Sequence, residues 1–407
     1  MQKGDLPAAR GLLSQSQKEF PTDPGFDNLL GIIEAQEKNY RAAEAAFRRA
    51  IVHAPKFTGA YLNLGRLYQE NASTDAEALT KALQTYQKVL QYQPENREAN
   101  YQAAVLLQLR GEYRSSLVQL SRLPEADQRS AQSLSLYCAN YAGLGDHSRA
   151  GQAAGSLIEQ RDFSEADLQA ILPALARAQF DDLSIRLLEG LIGRGIGSKE
   201  AKHSLGLLFE RMDRLAEARE LLEKSATEGN ALTPLLIDLA RVAHKQRDYQ
   251  GALGYLAHAR DLEPQNAGIH YFFGLVCIDM NLGAEADAAL ARAVKLEPDN
   301  PQYNFAMGLV ASYRRNPEEA IPYLETFLRL RPGDSRGKLV IGMAYFRSKN
   351  YEAAKPALKD PLSDRETAAP AHFYLGTIAR QENRISEAVV ELEQALQIRP
   401  DYADALA

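Results

Sequence analysis

Residues able to do covalent or acid–base chemistry are present in this chain but do not gather. Seven histidines (His53, His147, His203, His244, His258, His270 and His372) are scattered along 407 residues. General acid–base or metal chemistry needs such groups to converge on one pocket. No His-Glu-x-x-His pair, no Gly-x-Ser-x-Gly turn and no Walker loop occurs. The glycine cluster "GRGIG" at 193–197 lacks the strand that must precede a phosphate-binding loop. The 53 carboxylates read as solvated helix faces. Cys138 and Cys277 sit far apart in apolar runs, the pattern of buried thiols, with no disulfide framework and no zinc spacing. The expectation is a protein that is not an enzyme, with no catalytic residue, no metal and no cofactor.

Composition narrows the partner class. The hydrophobic fraction of 45% and charged fraction of 25% are those of a soluble folded protein. A net charge of −6 gives no global attraction to nucleic acid or to an anionic membrane. No apolar run is long enough to span a bilayer, and the N-terminus "MQKGDLPAARGLLSQ" has no signal-peptide core. Cytoplasm is favoured over export on that ground, without fixing the compartment. Asn71-Ala72-Ser73 fits a glycosylation sequon and is read as a chance match.

The elements that position side chains come from a 34-residue period. With Arg97 as position 1, the register runs without slippage to Tyr402. Two units precede it, from Pro24 and from Thr58, the second carrying five extra residues around "QENASTDAEALTKAL". Apolar residues at positions 4, 7 and 11 (Tyr61, Leu64 and Tyr68 in one unit) have helical spacing. Position 8 is small in nearly every unit: Gly31, Gly65, Ala104, Cys138, Gly206, Ala240, Gly274, Gly308, Gly342 and Gly376, with Leu172 the exception. Position 20 is Ala or Ser throughout, and position 24 is mostly Leu, Phe or Tyr. Small residues at fixed points let two helix backbones cross closely. Position 32 is Pro21, Pro55, Pro94, Pro264, Pro298, Pro332 and Pro400, which stops the second helix and holds the preceding residue extended. Asn316-Pro317 reads as an N-cap followed by proline at the first helical position.

These positions resemble the tetratricopeptide repeat, over essentially the whole chain and about eleven full units. One departure is at position 4, often tryptophan in the family but here His270, Asn304, Lys338 and His372. The resemblance implies an all-α, right-handed superhelical solenoid of antiparallel helix pairs, with first helices lining the concave side. Three stretches are distinguished: N-terminal repeats at 1–96, a divergent middle at 97–232 and regular repeats at 233–407. The middle loses the position-32 proline (Gln128, Asp162, Ile196, Asn230) and gains Pro124 and Pro173. Pro322 and Pro356 fall inside second helices and are expected to bend them. Both ends stop in mid-repeat, which predicts a segment of a longer protein whose open ends can self-associate.

By the family's geometry, positions 2, 5, 9 and 12 face the groove. Position 5 reads Tyr271, Phe305, Leu339 and Phe373, and position 9 reads Leu275, Leu309, Met343 and Thr377. Tyr313 and Phe346 extend this stripe. It would receive an extended or helical peptide. The alternative is packing between neighbouring repeats, with exposure deciding. One unit earlier, His203, Arg241, His244 and Lys245 form a candidate contact for an acidic group, or else ordinary charges beside Asp238 and Glu210. Chaperone-tail binding in this family uses Lys and Asn at set positions in three consecutive units, a set absent here. The reading is a non-catalytic protein-binding scaffold. The alternatives are a targeting or regulatory arm of a larger enzyme, and a self-assembly module.

Overall fold

The computed structural model describes residues 6–73, 75–227, 232–313 and 317–401. Among them, every regular element is a helix. Most helices come in pairs, a first helix packed on the second helix that follows it, such as Pro24–Gln36 on Tyr40–His53 and Ala267–Asp279 on Gly283–Leu296. The chain divides into two units, Met1–Leu208 and Phe209–Ala407. Asn230, Asn316, Tyr402 and the terminal "ADALA" lie outside the described residues.

Both units are built on one interlock, between positions 8 and 24. A Cβ added to Gly31 would sit 2.5 Å from the ring of Phe47, and one on Gly65 would sit 2.7 Å from Tyr86. In the C-terminal unit the same distance would be 2.7 Å for Gly274 to Leu290 and 2.6 Å for Gly308 to Leu324. No real Cβ fits at that range, so the glycine is required by the closeness of the two helices. Phe47, Tyr86, Leu290, Leu324 and Leu358 are all essentially buried. Leu172, the large exception at position 8, is only partly buried, while Ile171 and Leu175 beside it are buried. In the middle repeats a polar link supplements the interlock: Ser116 donates to the Ala104 carbonyl at 2.7 Å and Asn140 donates to Ser116 at 2.8 Å. Both cysteines are buried, and burial pushes the Cys138 thiol up to about 12.

The turn inside each pair has its own rule. Lys38, Gly111, Gly145, Gln179, Asp213, Arg247, Asn281, Lys349 and Asn383, all at position 15, take the left-handed conformation. The next N–H then reaches back five residues, as in Asn39 to Glu34 (2.8 Å) and Asn350 to Tyr345 (2.8 Å). This is a Schellman closure, which satisfies carbonyls otherwise orphaned at a helix end. Only two of these residues are glycine, so most units carry a strained side chain there.

The turn between pairs follows the proline. Ala54, Gln93, Glu263, Glu297, Arg331 and Arg399, each just before Pro, have φ between −131° and −141°. Asn96, Asn266 and Asp334 then cap the next helix. Position 4 explains itself here. Tyr61, Asn100, His270 and Asn304 each lie within hydrogen-bond distance (2.7–3.2 Å) of the preceding proline's carbonyl. A polar side chain therefore pins the turn where the family often has tryptophan.

One expectation changes. Pro322 does not interrupt a helix: a 3-10 turn at Pro317–Ala320 precedes the helix Ile321–Leu330, so Pro322 falls in the first turn, where no N–H is needed. Pro356 does lie inside Tyr351–Lys359, as Pro173 lies inside Glu165–Arg177. The insertion lengthens the turn after Thr58–Glu70 and precedes a 15-residue helix, Ala78–Tyr92.

Gly308→Ala is expected to cost about 1–3 kcal/mol through overpacking against Leu324. Gly254→Ala, whose new Cβ meets open space inside the helix Tyr249–Leu262, should stabilise by up to ~1 kcal/mol. Lys349→Gly should stabilise by about 1 kcal/mol by relieving the left-handed residue. Urea unfolding followed by circular dichroism measures all three.

Candidate functional site

The face of interest is carried by the first helices Ala267–Asp279, Pro301–Tyr313, Ser335–Arg347 and Ala368–Gln381. Successive members touch one another as well as their own second helices. The caps and turn bonds at Asn266, His270, Asn300, Asn304 and Asp334 fix where the first three of these helices begin. That in turn fixes the direction of their position-5 side chains.

Tyr271, Phe305, Leu339 and Phe373 are all half-buried. Each packs one side and presents the other. Tyr271 lies 4.8 Å from the Tyr303 ring, Phe305 lies 5.0 Å from Phe327, and Phe373 meets Tyr374 edge-on at 5.2 Å. Leu339 packs with Phe346 and Tyr374 against the Ala354–Leu358 cluster. Burial raises the Tyr271 pKa, so its phenol stays neutral. Leu275, Leu309 and Phe346 are also half-buried. Tyr313 is 60% exposed, with the Arg347 guanidinium 5.5 Å from its ring. Met343 and Thr377 expose only 8% each, and the Thr377 hydroxyl donates to the Phe373 carbonyl. These two are covered.

A cavity of about 180 Å³ opens on this face. Tyr271, Phe305 and Phe327 give its apolar wall, and Arg331, Asp334 and Arg336 its polar rim. Phe327 and Arg331 come from the second helix and its C-cap and were not among the sequence candidates. Their one signal was the spacing of Phe327, three residues after the core Leu324.

The basic candidates are already engaged. Arg241 forks onto Glu210 at 2.7 and 2.9 Å and also reaches Asp238 at 2.6 Å. Lys245 lies 2.9 Å from Glu210, and His244 lies 2.6 Å from Asp279. His203 belongs to the N-terminal unit. An incoming acid would compete with three resident carboxylates. Burial alone would push the Glu210 carboxyl up; hydrogen bonds from Arg241 and Lys245 outweigh it and hold the carboxyl below its usual range. A depressed carboxyl pKa gives stability that is present above the unfolded value and lost as pH falls through the folded one. Glu210→Gln should therefore cost about 2–3 kcal/mol at neutral pH. In urea unfolding, wild type and variant should converge as the pH falls through the depressed folded-state value of Glu210.

Among the described residues, no helix is long and apolar enough to cross a membrane. Two tetratricopeptide repeat family models match the chain. One covers residues 73–137 and 243–311, and the other covers 1–56, 305–360 and 339–403. No curated protein matches it. Solved structures do. The C-terminal part of a TPR repeat-containing protein from Cytophaga hutchinsonii aligns over 57% of this chain and 95% of its own, at TM-score 0.50 and 13% identity. YrrB, described as a TPR protein with an unusual peptide-binding site, aligns over 46% and 97%, at TM-score 0.42 and 21% identity. The APC/C hetero-tetramer Cut9–Hcn1 aligns over 95% and 97%, at TM-score 0.42 and 13% identity. At these identities the likeness is one of fold. With the period, the interlock and the family matches together, the chain belongs to the tetratricopeptide repeat family.

Proposed function

We propose that this protein is a non-catalytic interaction scaffold that holds a peptide or partner domain against the first-helix face of residues 267–380. The observation that carries the reading is the half-exposure of Tyr271, Phe305, Leu339 and Phe373 at one recurring position. Side chains needed only for packing between repeats would be covered, as Met343 and Thr377 are. Side chains with one packed and one open side are held rigid, so a partner meets them without ordering them first. Leu275, Leu309, Tyr313 and Phe346 extend the same stripe. The Arg241–Glu210 cluster acts as a structural tie beside it.

A second reading, self-association, is favoured by one observation. The helix Ile385–Ile398 exposes Ile385, Val389 and Val390 over its first two turns. An apolar stripe of this kind suits a second copy of the chain. Light scattering over a concentration series separates the two readings. A mass that rises with concentration, and stays monomeric in Val389→Lys/Val390→Lys, supports self-association; a constant monomer mass in the wild type removes it.

For the leading reading, Phe305→Ala combined with Phe373→Ala should weaken partner capture in a pull-down by about tenfold or more, at ~1–2 kcal/mol per socket. Helicity should be unchanged. Undiminished capture by a folded double variant would discard the face.

A further inference from the structure

Charge is segregated along this face. The helices Pro301–Tyr313, Ser335–Arg347 and Ala368–Gln381 contain no Asp or Glu. The second helices beside them carry Glu325, Glu352, Glu387, Glu391 and Glu393. The whole chain is net negative at −6, so first helices that carry Arg336, Lys338, Arg347, His372 and Arg380 and no acid run against its average. Lys338 and His372 are turned to Asp360 and Glu391. Three arginines are not neutralised in this way, and a fourth, Arg336, is only loosely paired. Arg331, Arg347 and Arg380 are exposed and have no carboxylate partner among the described residues. Arg336 lies 3.9 Å from Asp334, whose carboxylate already caps Gly337 at 2.9 Å.

Two of these arginines rim the socket walled by Phe305, Phe327 and Tyr271. We infer that the occupant of this face is an anionic peptide segment with a bulky apolar side chain. The apolar side chain enters the socket, and neighbouring carboxylates meet Arg331 and Arg336, then Arg347 and Arg380 farther along. This rests on the scaffold reading above and narrows it to a class of partner. Guanidinium groups suit this role because they pair with carboxylates in a fixed fork. A nucleic acid fits less well. Its continuous phosphate charge would be repelled by a net-negative chain, whereas a short acidic peptide matches a local stripe.

A display library of random linear peptides panned against the full chain tests this. Enriched sequences should place Asp or Glu within a few residues of a large apolar side chain. Their affinity should fall about tenfold or more in Arg336→Gln/Arg347→Gln/Arg380→Gln, and should weaken as salt is raised. These exposed substitutions leave the interlock intact, and circular dichroism verifies the fold. Selected peptides that are not acidic, and that need Phe305 and Phe373 but ignore the arginines, would overturn this inference and leave the scaffold reading standing. Peptides indifferent to both sets of residues would overturn both. Arginine-dependent binding of single-stranded oligothymidylate, with no acidic peptide enriched, would also overturn it.

Discussion

The structure depends on one steric constraint: two helix backbones approach so closely at position 8 that only a very small residue fits beneath the side chain at position 24. Gly308 under Leu324 and Gly342 under Leu358 are typical. At these glycines the contact leaves no room even for a methyl group. It recurs at Gly31, Gly65, Gly274, Gly308, Gly342 and Gly376, which gives those pairs the same close approach. The polar turn bonds from position 4 and the extended residue before the proline then set the start of the next pair. Placement of the position-5 side chains follows from these constraints rather than from any property of those side chains.

Most of the fold was legible in the residues because it is written many times over. Position 8, position 24 and the proline at 32 each speak through several units, and the structure uses them as read. Where the sequence was silent, the cause is local. Position 15 is left-handed yet mostly not glycine, as at Lys38, Arg247 and Lys349, because closure of the turn and packing of the pair compensate the strain. Pro322 was misplaced because a 3-10 turn shifted the start of its helix. Such a shift depends on the loop rather than on the periodic pattern.

The candidate site was legible in outline only. Repeat position named the stripe but could not separate Leu309, half-buried, from Met343, buried at the same position one unit on. That difference is set by neighbours. Arg241 and Glu210 are 31 residues apart, and their pairing needed the stacking of adjacent units to be seen. Phe327 and Arg331 reach the socket from a second helix and its C-cap, elements assigned in advance to the outer side. Charge segregation was present in the sequence from the start. It acquires meaning only once first helices are known to share a face.

The proposed working surface is the first-helix face of residues 267–380. Hydrogen exchange on the full chain, with and without a captured partner, tests it most directly. Added protection is predicted in Pro301–Tyr313 and Ser335–Arg347. Protection confined to second helices such as Gly283–Leu296 and Ile385–Ile398, with the first helices unchanged, would contradict it.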